Sequence, residues 1–245
     1  MKRLLFCLEF TIGQSNGKLN MDGILVVDKP VEWTSHDVVD FVRKRFHIKK
    51  VGHSGTLDPL ATGVLVLLLG RSTKMAKKFM EEDKEYQATL TLGIKTDTSD
   101  SYGNILEKKE GFCVSREEAE KVFKEFVGEL IQVPPMVSAI RHKGKRLYEL
   151  ARQGKIVERK PRNIRVYELE ILKFNFPEVS FSVRCSKGTY IRTLCEEIGE
   201  KLGCGAHLSM LRRIMSGDLS IDKAVTIETL RSISRVELKG FLIAV

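Results

Sequence analysis

What this sequence lacks narrows its chemistry. Its five cysteines (Cys7, Cys113, Cys185, Cys195 and Cys204) form no Cys-x-x-Cys pair, and their number is odd. Such irregular spacing argues against a disulfide framework or a zinc site and for reduced thiols in a cytosol. No segment offers the roughly eighteen uncharged apolar residues of a membrane-crossing helix. The apolar run near the N-terminus is broken by Glu9, and no small-residue cleavage site follows, so it makes a poor signal peptide. Residues 1–20 read instead as an N-terminal extension outside the core, or as the product of an upstream start codon with Met21 as the functional start. A phosphate-binding Gly-Lys-Ser/Thr ending and a GxGxxG fingerprint are missing from the glycine-rich loop described below.

Basic residues are in excess. Lys plus Arg number 41 against 32 Asp plus Glu, a formal charge of +9. That balance suits a polyanionic partner such as nucleic acid, and it also suits a soluble basic protein. With 245 residues, 42% of them hydrophobic, the chain can bury one large core, alone or with a small appendage.

The densest cluster of special residues is Gly52-His53-Ser54-Gly55-Thr56-Leu57-Asp58-Pro59-Leu60-Ala61-Thr62-Gly63-Val64-Leu65. Three glycines and a proline predict an irregular loop with unusual backbone angles. The apolar run at residues 64–69 predicts a buried strand directly after it. Asp58 therefore lies on a stiff loop leading into the core. It is either a turn residue bonding its own backbone or a catalytic group on a rigid scaffold. No second carboxylate within a turn of it suggests a local acid–base pair.

Around that loop the chain alternates strand-like and helix-like stretches. Residues 23–28 predict a buried strand, stopped by Lys29-Pro30. A helix follows, opened by Trp33-Thr34-Ser35-His36-Asp37 with Ser35 as N-cap. Five of the eight residues at 43–50 are basic; they form a solvated helix end or a phosphate contact beside the loop. A short helix is expected at 72–80. Alternation at 85–94 predicts a strand with Tyr86, Ala88, Leu90 and Leu92 on one side, where Tyr86 is by default a packing residue. The polar turn at 96–103 contains Asp100, which could cap its own loop or touch RNA. Ser115 opens a capping-box helix running through Phe126. Pro134-Pro135 excludes a helix, and the basic tract after Arg141 reads as a solvated hairpin or an RNA face. Two strands follow at 164–174 and 179–185. Gly188 ends the second, and Thr189 is placed to cap a helix carrying Arg192. After Gly203 comes an extended stretch with Leu211 as a core position, and a last short helix begins at Thr226.

The string from Gly52 to Leu65 resembles the catalytic loop of the bacterial pseudouridine synthases of the TruB family. The likeness extends over roughly residues 22–232: Lys29-Pro30 with Thr34-Ser35-His36, Lys84-Glu85-Tyr86, Thr96-Asp97-Thr98-Ser99-Asp100, Pro134-Pro135 through Gly154, Gly188-Thr189-Tyr190-Ile191-Arg192, and Gly205-Ala206-His207 through Arg213. The resemblance implies an α+β pseudouridine synthase fold, a mixed and mostly antiparallel sheet flanked by helices and loops. It implies Asp58 as nucleophile, Arg192 as its partner, Tyr86 stacking on the target base, and Tyr190 and Leu211 lining the uracil pocket. His53 would help displace the base, and Asp100 and Lys29 would belong to the substrate-binding set. The implied substrate is uridine 55 in the T-loop of tRNA, isomerised with no cofactor or metal and no guide RNA by a cytoplasmic monomer. Attack of Asp58 on C1′ and removal of the 2′ proton to give a glycal are both compatible with these residues. Residues 221–245 are too few for the RNA-binding PUA domain that many relatives carry. The expected organisation is thus an extension at 1–20 and a catalytic domain at 21–245.

Overall fold

The computed structural model describes residues 21–244; the expectation for the extension at 1–20 lies outside them. The strands, in chain order, are β1 (Gly23–Lys29), β2 (Val51–Ser54), β3 (Thr62–Leu69), β4 (Lys84–Leu92), β5 (Ile94–Thr96), β6 (Ile105–Lys108), β7 (Gly128–Gln132), β8 (Arg141–His142), β9 (Lys145–Arg146), β10 (Arg162–Asn175), β11 (Glu178–Cys185), β12 (Ala206–Ser216), β13 (Leu219–Ser220) and β14 (Val225–Thr226). The helices are α1 (Ser35–Arg45), α2 (Ala76–Glu81), α3 (Arg116–Glu125), α4 (Leu147–Ala151), α5 (Ile191–Lys201) and α6 (Ile227–Ser232). Ten strands form one sheet with the path β14-β1-β3-β12-β4-β11-β10-β7, on which β2 adds to β3 and β13 to β12. Only the β1–β14 and β12–β3 pairs in it are parallel. The expected mixed, mostly antiparallel sheet is therefore observed.

The sequence explains most of these elements directly. In β3 the run Val64 to Leu69 is wholly buried, because its two faces pack into two separate apolar clusters. In β4, Tyr86, Ala88, Leu90 and Leu92 point into the core as alternation requires. Helix α3 begins with the expected capping box, in which Ser115 Oγ accepts from Glu118 N. Beneath α3 the rings of Phe123 and Phe181 meet edge to face at 5.5 Å.

Four local expectations are corrected. The N-cap of α1 is Thr34, not Ser35; Thr34 and Asp37 form the capping box, leaving the Ser35 hydroxyl available for a distant partner. Thr189 does not cap α5, because its hydroxyl donates to Ser186 O at 2.9 Å within the preceding turn. The start of the glycine-rich stretch is strand rather than loop, since residues 51–54 pair with β3. The short helix expected at 72–80 is divided into a 3-10 turn at Gly70–Met75 and α2.

The parallel contact of β3 with β12 fixes the far end of the Asp58 loop. Gly63 faces Arg213 there with φ +95°, and a Cβ on it would fall 2.2 Å from Arg213 O. Backbone cannot swing away as a side chain tip can. Gly63→Ala is therefore expected to destabilise the fold by about 2 kcal/mol or more, read as a lowered denaturant midpoint at constant m-value.

Candidate active site

Asp58 lies between β2 and β3, and its Oδ2 is 2.9 Å from Arg192 Nε. Arg192 is the second residue of α5, its side chain only 3% exposed against 37% for Asp58. A guanidinium so deep needs partners for its N–H groups. Nη1 donates to Thr98 O at 3.0 Å and Nη2 to Val137 O at 2.7 Å. Asp100 Oδ2 stands 3.6 Å from Nη1. The Asp58 loop, the turn after β5, the stretch before β8 and the start of α5 all converge on this one side chain. Asp58 Oδ1 has no protein partner among the described residues.

Burial pushes the Asp58 carboxyl above the usual carboxylate range, and Asp100 adds to the effect. Arg192 and, more weakly, Lys29 pull it back. An arginine alongside predicts a firmly ionised aspartate, but here desolvation outweighs the ion pair.

The carboxylate opens into a cavity of ≈ 330 Å³, also walled by Tyr86, Tyr190, Arg192, Leu211 and Arg213. Five of the eight anticipated residues thus share one space: Asp58, Tyr86, Tyr190, Arg192 and Leu211. Tyr86 is buried on β4, and burial raises its phenol against the pull of Arg213. Tyr190 is held from two sides. The Gln132 amide accepts from Tyr190 N at 2.8 Å and donates to Tyr190 O at 3.1 Å, while the Arg162 guanidinium sits 5.4 Å from its ring centre.

The other three lie around this space rather than on its walls. Lys29 is wholly buried, and its ammonium donates to the carbonyls of Pro30, Trp33 and Pro59 at 2.8, 2.5 and 3.4 Å. Desolvation lowers it to about 8. Asp100 both closes its own turn, accepting from Thr98 Oγ1 and Tyr102 N at 2.6 and 3.0 Å, and faces Arg192. His53 is on β2; its buried Nδ1 has no hydrogen-bond partner among the described residues, and burial followed by nearby Arg213 lowers its pKa. The basic residues after α1 lie at the other end of the β2–β3 hairpin, where Lys49 and Lys50 join Arg71 and Lys74 around an open recess of ≈ 650 Å³.

Two further cavity residues do not follow from the sequence reading. Arg213 is 1% exposed and ties both ends of the loop, donating to Val64 O at 2.7 Å and Gly55 O at 3.1 Å. Its signal is positional, because in β12 it shares the inward face with Leu211. Lys84 binds the carbonyls of Phe79, Met80 and Glu82 at the end of α2, and desolvation lowers it to about 8. Among the described residues no group of His, Cys, Asp and Glu could hold a metal.

Comparison with known proteins identifies the class to which this sheet and its aspartate–arginine pair belong. The family described as "TruB family pseudouridylate synthase (N terminal domain)" matches residues 43–191, and "tRNA pseudouridylate synthase B C-terminal domain" matches residues 192–239. A protein of Alkaliphilus oremlandii named tRNA pseudouridine synthase B is 51% identical, over 89% of this chain and 72% of its own. Its namesake in Syntrophotalea carbinolica is 47% identical, over 92% and 74%. Among solved structures, a chain in a Cbf5-Nop10-Gar1 complex superposes with TM-score 0.67 at 34% identity, covering 84% of this chain; this chain spans about half of that one, 52%. This chain belongs to the TruB family of pseudouridylate synthases, which are isomerases.

The raised Asp58 carboxyl has a consequence for stability. A carboxyl whose folded pKa exceeds its unfolded value holds its proton more tightly in the fold. Its stabilising contribution is fully present below the unfolded pKa and is lost as pH rises through the folded one. Asp58→Asn, which mimics the neutral acid, is expected to melt above wild type at pH 8, with the gap closing as pH falls toward 4. Thermal scans at the two pH values check it; a variant melting lower at pH 8 contradicts the direction.

Proposed function

We propose that this chain converts uridine 55 in the T-loop of tRNA to pseudouridine, with Asp58 as the nucleophile. The observation that carries the reading is the Asp58–Arg192 pair, which leaves one carboxylate oxygen facing a cavity flanked by two tyrosines. The curated relatives' name supplies tRNA as the substrate class. A base inside a folded loop must leave its stack before its glycosidic bond can be exchanged, at a cost of a few kcal/mol. Tyr86 and Tyr190 offer ring faces that offset that cost. Leu211 closes the pocket, and His53 occupies the space the base vacates.

The chemistry needs no electron transfer. The C1′–N1 bond breaks, the uracil turns within the cavity, and C5 bonds to C1′. The C5 proton is lost to solvent and N1 regains one. Asp58 assists either by adding to C1′, as a carboxylate does at the anomeric carbon in retaining glycosidases, or by taking the 2′ proton to give a glycal. Both routes need the ionised carboxylate, oriented by Arg192. Lys29 and Asp100 act through the loop and through Arg192. The basic residues after α1 and along β8–β9 meet RNA phosphates. The enzyme works as a monomer.

A second reading, guide-dependent isomerisation, is suggested by solved chains whose titles name H/ACA complexes. The run Pro59-Leu60-Ala61-Thr62-Gly63 after Asp58 favours the stand-alone enzyme.

Tritium release from C5-labelled uridine in a tRNA transcript separates the possibilities. Wild type alone is expected to release label, Asp58→Asn to release none, and a transcript with cytidine at position 55 to be inert. Binding by wild type without release would point to a tRNA-binding module or to a guide-dependent enzyme lacking its partners. Release by Asp58→Asn would overturn the assignment of the nucleophile.

A further inference from the structure

We infer that Ser35 is a positioning residue for Asp58, acting through the backbone of Leu57; the inference rests on the reading of Asp58 as nucleophile. Ser35 Oγ accepts from Leu57 N at 2.8 Å and donates to Leu57 O at 3.1 Å. One hydroxyl thus satisfies both polar groups of a single residue twenty-two positions away. Both residues are out of water, Ser35 at 2% and Leu57 at 3% exposure. Neither peptide group could turn to solvent if the hydroxyl were absent. Ser35 can do this because Thr34 and Asp37 already cap α1.

The other neighbour of Asp58 is tied to the same segment. Pro59 O accepts from Glu32 N at 2.8 Å and from Lys29 Nζ at 3.4 Å. Glu32 makes its bond from a left-handed backbone, φ 70°, which a non-glycine residue adopts only under surrounding constraint. Asp58 is therefore the one residue between two anchored neighbours, and its own carbonyl closes a turn onto Ala61 N at 3.0 Å. With residues 57 and 59 fixed, the backbone position from which the carboxylate reaches Arg192 is fixed. At Leu57 itself the bracket, among the described residues, is the Ser35 hydroxyl.

The charged groups acting on Asp58 come from three elements: Arg192 from α5, Asp100 from the turn after β5, and Lys29 from β1. Releasing Leu57 lets the carboxylate drift from Arg192, the strongest of the opposing charges, and leaves burial less countered. The acid limb of the rate then moves to higher pH. A merely destabilising change elsewhere in α1 would not move it.

The test compares Ser35→Ala, Val42→Ala and Asp58→Asn in the full chain. Val42 is wholly buried in α1, two turns beyond Ser35, so Val42→Ala controls for lost stability. Single-turnover tritium release, tRNA affinity and the pH profile are measured for each. Ser35→Ala is expected to react roughly 10- to 100-fold more slowly, as a misplaced reacting group does. Its tRNA affinity should stay within about twofold of wild type, and its acid limb should lie at higher pH. If it cannot be recovered folded, Ser35→Cys carries the same expectation more weakly, a thiol being a poorer donor and acceptor. A serine variant indistinguishable from Val42→Ala, or slower with its acid limb unmoved, overturns the inference while an inactive Asp58→Asn leaves the nucleophile standing. An active Asp58→Asn overturns both.

Discussion

The contact on which the site depends is an arginine buried to 3% exposure that meets a carboxylate open to a cavity. Taking a guanidinium out of water costs several kcal/mol unless its donors are matched. Arg192 is matched by two main-chain carbonyls and two aspartates from separate parts of the chain. That demand accounts for much of the surrounding polar architecture. Asp100 closes the turn that presents Thr98 O, and Ser99 anchors the same turn by donating to Glu196 Oε2 at 2.6 Å. The same burial weakens what it secures. The dry surroundings that strengthen the ion pair also raise the Asp58 carboxyl, so orientation comes at some expense of ionisation.

The loop bearing Asp58 is held from outside rather than by its own turns alone. Arg213 grips Gly55 and Val64 on either side, Ser35 grips Leu57, and Lys29 with Glu32 grips Pro59. These anchors come from β12, the start of α1 and the end of β1. The parallel seam of β3 with β12 is tight enough to require Gly63, which brings Arg213 within reach. The sheet order therefore does more than bury apolar area; it places a cation from a strand about 150 positions away beneath the loop.

Much of this was legible in the sequence, and the remainder has physical reasons for being hidden. The buried strands were readable because Val64 to Leu69 and the Tyr86–Leu92 alternation carry their own period. The cavity group of Asp58, Tyr86, Tyr190, Arg192 and Leu211 was readable from family strings, since no local property sets Tyr86 apart from any half-buried strand tyrosine. Ser35 reads as a cap because it is a serine before an apolar helical face, and the competing Thr34–Asp37 box decides the matter only by geometry. Arg213 is hidden in the sequence because an arginine defaults to the surface. Its inward register beside Leu211 was visible, but the carbonyls that make burial tolerable lie on β3 and at Gly55, far away in sequence.

The distribution of unsatisfied groups sharpens the chemical reading. Lys29, Lys84, Arg192 and Arg213 place positive charge around the cavity, yet they donate largely to carbonyls and aspartates. They act mainly as a field, which suits a phosphate-bearing substrate; burial first and Arg213 second favour the neutral form of His53. Asp58 Oδ1 is different. Among the described residues it carries no protein hydrogen bond and belongs to the one carboxylate on the cavity wall, whose other oxygen is held by Arg192. A wall lined by occupied cations and one unoccupied carboxylate oxygen offers a substrate one reactive partner. That asymmetry, more than the cavity's size or its tyrosines, singles Asp58 out from the charged groups around it.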